Sequence, residues 1–290
     1  MENQEFENLI NYFDTFSIEE HSGLAYIEKG KGGQTILFVH GLGSNRYAWL
    51  GNIFELSTHY RCIAIDLPNY GDSRKGDFSF DVSFFKSKIL AFCAALHLEN
   101  ICLVGHSMGA QIAVHLGIQK PSLFTSLVLL TPAGIETFND FEKQWFRQIN
   151  IPEILFNATK DQIKQNFEIN FVHFGKEAKF LLDQRLQMMN DKITFYQYCK
   201  MICKCVDGML DASINEILHL LVQPVLVLFG EKDLLIPNKI LHHSLTAEDL
   251  KRVAARKIPT SDVRILPDAG HFIQIDQKEQ VNAIISKFLD

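Results

Sequence analysis

Short apolar runs of strand length recur along the chain: Thr35–Val39, Cys62–Ile65, Ile101–Val104, Leu127–Leu130, Val225–Phe229 and Val263–Leu266. They are close to continuous rather than alternating. Such runs predict strands covered on both faces, the condition of a parallel sheet. Helical periodicity lies between them, over Asp81–His97, Met108–Gln119 and Thr246–Arg256, and a last helix spans Lys278–Leu289. Strand and helix in alternation predict an α/β fold with a doubly wound sheet. Upstream, residues 1–15 read as helical or frayed, and Phe16 to Glu28, with Gly23 inside it, reads as a hairpin. Lys29-Gly30-Lys31-Gly32-Gly33 is a loop that lacks the Gly-Lys-Ser/Thr of a phosphate-binding turn.

One interval breaks the alternation. From Ala133 to about Ile214 no strand run appears and the patterns are helical. The interval holds nine of the chain's 23 phenylalanines and Trp145, most of them expected to be core for the inserted helices. An insertion after a strand lies beside the strand ends that carry function in such sheets, so a lid is expected. The expected division is a core of residues 1–132 and 215–290 and a helical cap of 133–214.

The chemistry starts at Gly105-His106-Ser107-Met108-Gly109, between the run Ile101–Val104 and the helical Ala110–Leu116. Strand, Gly-x-Ser-x-Gly, helix is the context of a nucleophile elbow. A serine hydroxyl needs a base, and the base an orienting acid. Val225–Phe229 leads into Gly230-Glu231-Lys232-Asp233, and Val263–Leu266 into Pro267-Asp268-Ala269-Gly270-His271. Asp233 and His271 therefore follow successive strands, at the carboxyl ends where a doubly wound sheet carries its site. Glu231 is the competing acid. The alternative for Asp233 is a turn cap before Ile236-Pro237, and for His271 a histidine satisfied by backbone. His106 is read as structural, because neighbours at a sharp turn point apart. A tetrahedral intermediate needs two donors. They are expected to be the backbone N–H of Met108 and that of Leu42 in the loop His40-Gly41-Leu42-Gly43, with His40 holding the loop.

Taken together, His40–Gly43, Asp66-Leu67-Pro68-Asn69-Tyr70-Gly71-Asp72-Ser73, Gly105–Gly109, Gly230–Asp233 and Gly270-His271-Phe272 resemble the α/β-hydrolase fold superfamily. The likeness is to its cap-bearing branch of esterases, carbon–carbon bond hydrolases, epoxide hydrolases and cofactor-free haloperoxidases. The resemblance implies an eight-stranded, mostly parallel sheet. It implies Ser107 as nucleophile, Asp233 as acid, His271 as base, and Leu42 and Met108 as oxyanion donors, with His40, Gly41 and Gly43 shaping the oxyanion loop. Asp66 and Gly71 are read as structural. A serine rather than an aspartate at the elbow argues against displacement at an alkyl carbon. The expected activity is hydrolysis of a small or medium apolar carboxylic ester through an acyl-enzyme. The alternatives are carbon–carbon bond hydrolysis of a vinylogous diketone, an acyltransferase, or a ligand receptor on the same fold.

Composition narrows the partners. Of 290 residues, 47% are hydrophobic and 21% charged, with a net charge of −6, which gives no support for nucleic acid or an anionic membrane as partner. The acidic start and the lack of any apolar run of membrane-spanning length lead to an expectation of a cytoplasmic monomer or homodimer acting on a small molecule. Cys62, Cys93 and Cys102 lie in apolar patterns. Cys199-x3-Cys203-x-Cys205 is not a usual zinc spacing. No metal and no cofactor are expected.

Overall fold

The computed structural model describes residues 19–290, apart from the side chains of residues 19–21. The reading of residues 1–15 and the start of the hairpin lie outside the described residues. Eight strands form one sheet: β1 (Glu19–His21), β2 (Leu24–Lys29), β3 (Thr35–Val39), β4 (Arg61–Ile65), β5 (Ile101–His106), β6 (Phe124–Leu130), β7 (Val225–Gly230) and β8 (Ser261–Leu266). The order is β1-β2-β4-β3-β5-β6-β7-β8. The pairs β1/β2 and β2/β4 are antiparallel, and every pair from β4/β3 to β7/β8 is parallel.

The period of two along each strand assigns its side chains to two cores. Leu37, Val39, Ile63, Ile65, Leu103 and Val227 face one side. Ile36, Phe38, Cys62, Ala64, Val104 and Leu228 face the other. Helices α2 (Val82–Ala95), α3 (Met108–Gln119) and α9 (Ala247–Lys257) cover the first face. Helices α1 (Leu50–Leu56) and α11 (Lys278–Leu289) cover the second. Strands β3 to β7 thus meet apolar side chains above and below, which is why their runs read as nearly continuous. Strand β8 is the edge, and five of its six residues are only half-buried. Helix α1 and the 3-10 turn Arg46–Trp49 before it carry no strong periodic signal and escape the sequence reading. The turn is set instead by Asn45, whose side chain accepts from the Tyr47 N–H at 3.0 Å.

Between β6 and β7 the chain forms five helices: α4 (Asp140–Ile149), α5 (Pro152–Phe156), α6 (Lys160–Glu168), α7 (Lys176–Met188) and α8 (Lys192–Asp211). Asn139 with Glu142 and Thr159 with Gln162 close capping boxes at the starts of α4 and α6. Cys199, Cys203 and Cys205 all lie buried on α8. A third apolar cluster joins Phe167, Phe171, Ala178, Leu181 and Leu182 of this region to Ala48 and Phe272 of the sheet-bearing part. Among the described residues no helix is long and apolar enough to cross a membrane.

Candidate active site

Chain order turns back at β3 and β5, which are adjacent although β4 lies between them in sequence. A doubly wound sheet opens a crevice at such a switch point. Here the register pairs Val39 with Gly105, so the loop leaving β3 lies beside the turn leaving β5. Ser107 is that turn. It holds φ 53° and ψ −115° as the residue before α3, a backbone state that costs a non-glycine residue on the order of 1–3 kcal/mol. Its N–H donates to the Leu130 carbonyl at 2.9 Å, and its carbonyl accepts from Ala110 at 3.0 Å and Gln111 at 3.1 Å. The elbow is packed so closely that a Cβ at Gly109 would lie 2.3 Å from the Val39 carbonyl oxygen. A Cβ at Gly41 would lie 3.1 Å from the Ser107 Cβ. The N–H of Met108 is at the first position of α3, where a helix offers no internal acceptor.

Asp233 and His271 meet. His271 Nδ1 and Asp233 Oδ2 are 2.9 Å apart, and both side chains are almost wholly buried. Asp233 Oδ1 also accepts from the N–H groups of Leu235 at 2.8 Å and Ile236 at 3.1 Å. It therefore both pairs with the histidine and caps its own turn. Glu231 is exposed and points to the Asp268 N–H instead. The two loops are laced by the Lys232 N–H donating to the Ala269 carbonyl at 2.9 Å.

Among the described residues no hydrogen bond joins the Ser107 hydroxyl to His271; the link runs through the backbone. His106 Nε2 donates to the His271 carbonyl at 2.9 Å, and the Thr131 hydroxyl donates to the same oxygen at 3.0 Å. The residue before the serine thus suspends the histidine. Burial, and then the nearness of His271, push the His106 pKa well below the usual histidine value, so it does this as a neutral ring. His40 plays a matching part on the other side. Its Nε2 accepts from the Leu67 N–H at 3.0 Å, which leaves Nδ1 to donate to the Gly41 carbonyl at 2.8 Å. Burial lowers its pKa also.

Beside the loop that follows β3 lies a charged cluster that the sequence only half discloses. Asp66 is fully buried and ion-paired to Arg46, itself fully buried. Its Oδ1 accepts from the Arg46 N–H at 2.8 Å and its Oδ2 from the Asp72 N–H at 2.9 Å. Arg46 Nη2 reaches Asp72 at 2.6 Å and the Tyr47 hydroxyl at 2.7 Å. The only trace of Arg46 in the sequence is a charge just before the apolar Ala48-Trp49-Leu50.

A family model described as the alpha/beta hydrolase fold matches residues 34–278, which takes in both strands of the switch point and all three site loops. The chain is a member of the alpha/beta hydrolase family. This alpha/beta hydrolase is 30% identical, over 263 residues and 90% of its length, to the dihydrolipoyllysine-residue acetyltransferase component of an acetoin cleaving system from Pseudomonas putida. It spans 64% of the length of that relative. Among solved structures it resembles a probable hydrolytic enzyme from Pseudomonas aeruginosa (TM-score 0.80, 22% identity, 92% of this chain and 89% of the other). It also resembles an esterase from Exiguobacterium antarcticum (TM-score 0.75, 20% identity, 92% and 96%). At such identities the structural likeness speaks to the fold.

In this alpha/beta hydrolase the segment between β6 and β7 contacts the loop that carries His271. The Asn170 carbonyl accepts from the His271 N–H at 2.8 Å and the Phe272 N–H at 3.3 Å. Asp276 accepts from Gly270 at 2.8 Å, Val172 at 3.0 Å and His173 at 3.1 Å. Phe171 stacks on Phe272 with centroids 4.7 Å apart. A cavity of about 330 Å³ opens between Gly43, Ser44 and Asp72 on one side and Leu181, Arg185 and Met188 of α7 on the other. It reaches the loop after β3 at Gly43, while Ser107 and His271 lie outside its lining.

Proposed function

We propose that the protein is a serine hydrolase that cleaves a small or medium apolar carboxylic ester. Ser107 attacks the carbonyl with His271 as general base, and Asp233 holds the resulting imidazolium. The N–H groups of Leu42 and Met108 receive the oxyanion. His271 then protonates the leaving alcohol, and water releases the acyl group by the same route. Helices α4–α8, within 133–214, act as the cap over the site. The observation that carries the reading is the buried Asp233–His271 pair at 2.9 Å, hung by the His271 carbonyl from the residue beside Ser107. An acid on one ring nitrogen fixes a histidine's tautomer and orientation and leaves the opposite nitrogen to act as a base. The open cavity beside Gly43, between the sheet-bearing part and α7, has the size of a small-molecule site and supports the reading. The test is turnover of an activated aryl ester by wild type and Ser107→Ala. Ester cleavage by the wild type, with background-level rates in the variant, is expected; equal rates in both would remove Ser107 from the mechanism.

A further inference from the structure

Arg185 stands in the last turn of α7, half-buried, and donates through Nη2 to the carbonyl oxygen of Gly43. The held carbonyl belongs to the Gly43–Ser44 peptide, whose N–H donates to the Gly41 carbonyl at 3.3 Å, the carbonyl of the peptide that carries the Leu42 N–H. One further contact fixes the guanidinium, and a second fixes the helix beside it. It lies over the Phe167 ring, 4.9 Å from the centroid. Its neighbour Gln184 accepts from the Asn45 side-chain amide at 2.9 Å, two residues beyond Gly43.

The loop is shaped around this contact. Gly43 has φ +67°, and a Cβ there would fall 2.7 Å from Arg185 Nη2 and 3.1 Å from the Tyr198 hydroxyl of α8. Two inserted helices thus close on one glycine. Phe167, under the guanidinium, belongs to the ring cluster of Phe171 and Phe272, and Phe272 follows His271. One rigid patch of the insertion therefore touches the histidine loop through Asn170 and the oxyanion loop through Arg185.

We propose that Arg185 is a positioning residue: by holding the Gly43 carbonyl it sets the direction of the Leu42 N–H, and so makes the oxyanion hole depend on the seating of the inserted helices. The proposal rests on the hydrolase reading above. An oxyanion donor acts only when aimed at the position of the charged oxygen, and losing one costs about 10²–10³ in rate. A donor left in place but misaimed should cost less, about 10–100-fold. Arg185 does not touch the scissile group in this account, so the loss falls on kcat and leaves KM nearly unchanged.

The experiment compares wild type, Ser107→Ala, Arg185→Met and Arg185→Lys on two aryl esters, one neutral and one with a carboxylate on the acyl chain. Methionine keeps an apolar stem against Phe167 and removes the donor, whereas lysine retains one donor. The expected result is a kcat lower by about 10–100-fold on both esters in Arg185→Met, with KM within about threefold and the melting temperature held, and partial recovery in Arg185→Lys. Affinity for an aryl boronic acid should fall in parallel with kcat/KM, a readout that also serves Arg185→Lys alone should Arg185→Met not fold. An unchanged kcat with a lower melting temperature makes the residue structural and overturns the proposal. So does a raised KM confined to the carboxylate ester, which would make Arg185 a substrate contact. Equal turnover by wild type and Ser107→Ala would overturn the hydrolase reading itself, a result separate from either.

Discussion

Ser107 and Arg46 show how differently single residues declare themselves. The serine sits in a local motif, and its neighbours at two-residue spacing are glycines because helix and strand backbones pass within contact of them. The motif that marks it spans five residues, and the loops after β3, β7 and β8 supply the context that a bare Gly-x-Ser-x-Gly lacks. Arg46 carries no such mark. Its burial depends on Asp66, twenty residues away, and on the fold that brings the two together. A charge buried with its partner is stable, but a charge left alone is not. Asp66→Asn should therefore lower unfolding stability by about 3–5 kcal/mol in denaturant titration at neutral pH. The exposed pair Arg264–Asp262, broken as a control by Asp262→Asn, should change it by under about 1 kcal/mol. A cost for Asp66→Asn no larger than that of the control would mean that the buried pair does not hold the loop. Asp233 and His271 were legible because each follows a strand. The contacts that position them, from His106, Thr131 and Asn170, were not, since a backbone carbonyl accepts from any donor that the fold supplies.

At the scale of elements the strands were read well and the irregular pieces were not. Strands β3, β5 and β7 are buried at every position, and their sequences say so. The edge strand β8 is half-buried and begins two residues earlier than its apolar core suggests. The 3-10 turn is hidden from the sequence because a hydrogen bond that Asn45 accepts from the Tyr47 N–H, rather than a periodic face, initiates it, and α1 continues from its end. One contact between elements carries a charge that responds to pH. His242, in the segment after Asp233, has Nδ1 at 2.5 Å from Glu136 and Nε2 at 3.2 Å from Glu142 of α4, with Phe138 stacked on its ring. Burial works against its charge, but the hydrogen bonds and charges of Glu136 and then Glu142 outweigh burial and raise its pKa above the ordinary 6.5. The folded state thus binds the proton more tightly than the unfolded chain. This contribution to stability is complete below about pH 6.5 and is lost as pH rises through the higher folded value. Melting temperature should accordingly fall across that alkaline-going window, and His242→Gln should flatten the slope. An unaltered slope in the variant would remove this latch between the insertion and the acid-bearing segment.

For the whole molecule, one topological fact organises the rest. The switch between β3 and β5 sets two loops side by side, one shaped by Gly41 and the other by Ser107, and the loops after β7 and β8 bring Asp233 and His271 to the same edge. That much follows from strand order and could be anticipated from the sequence. The seating of α6 and α7 on the His271 loop and the loop after β3 could not, because helical periodicity gives a helix a buried face without saying what covers it. The central claim is that Ser107 is an activated nucleophile within this assembly. Its most direct measurement is labelling of the folded protein by a fluorophosphonate probe, with the adduct located by peptide mass spectrometry. One adduct per chain on Ser107, absent in Ser107→Ala and slowed in His271→Ala, is expected; a folded wild type that stays unlabelled, or an adduct that forms elsewhere and survives Ser107→Ala, would contradict it.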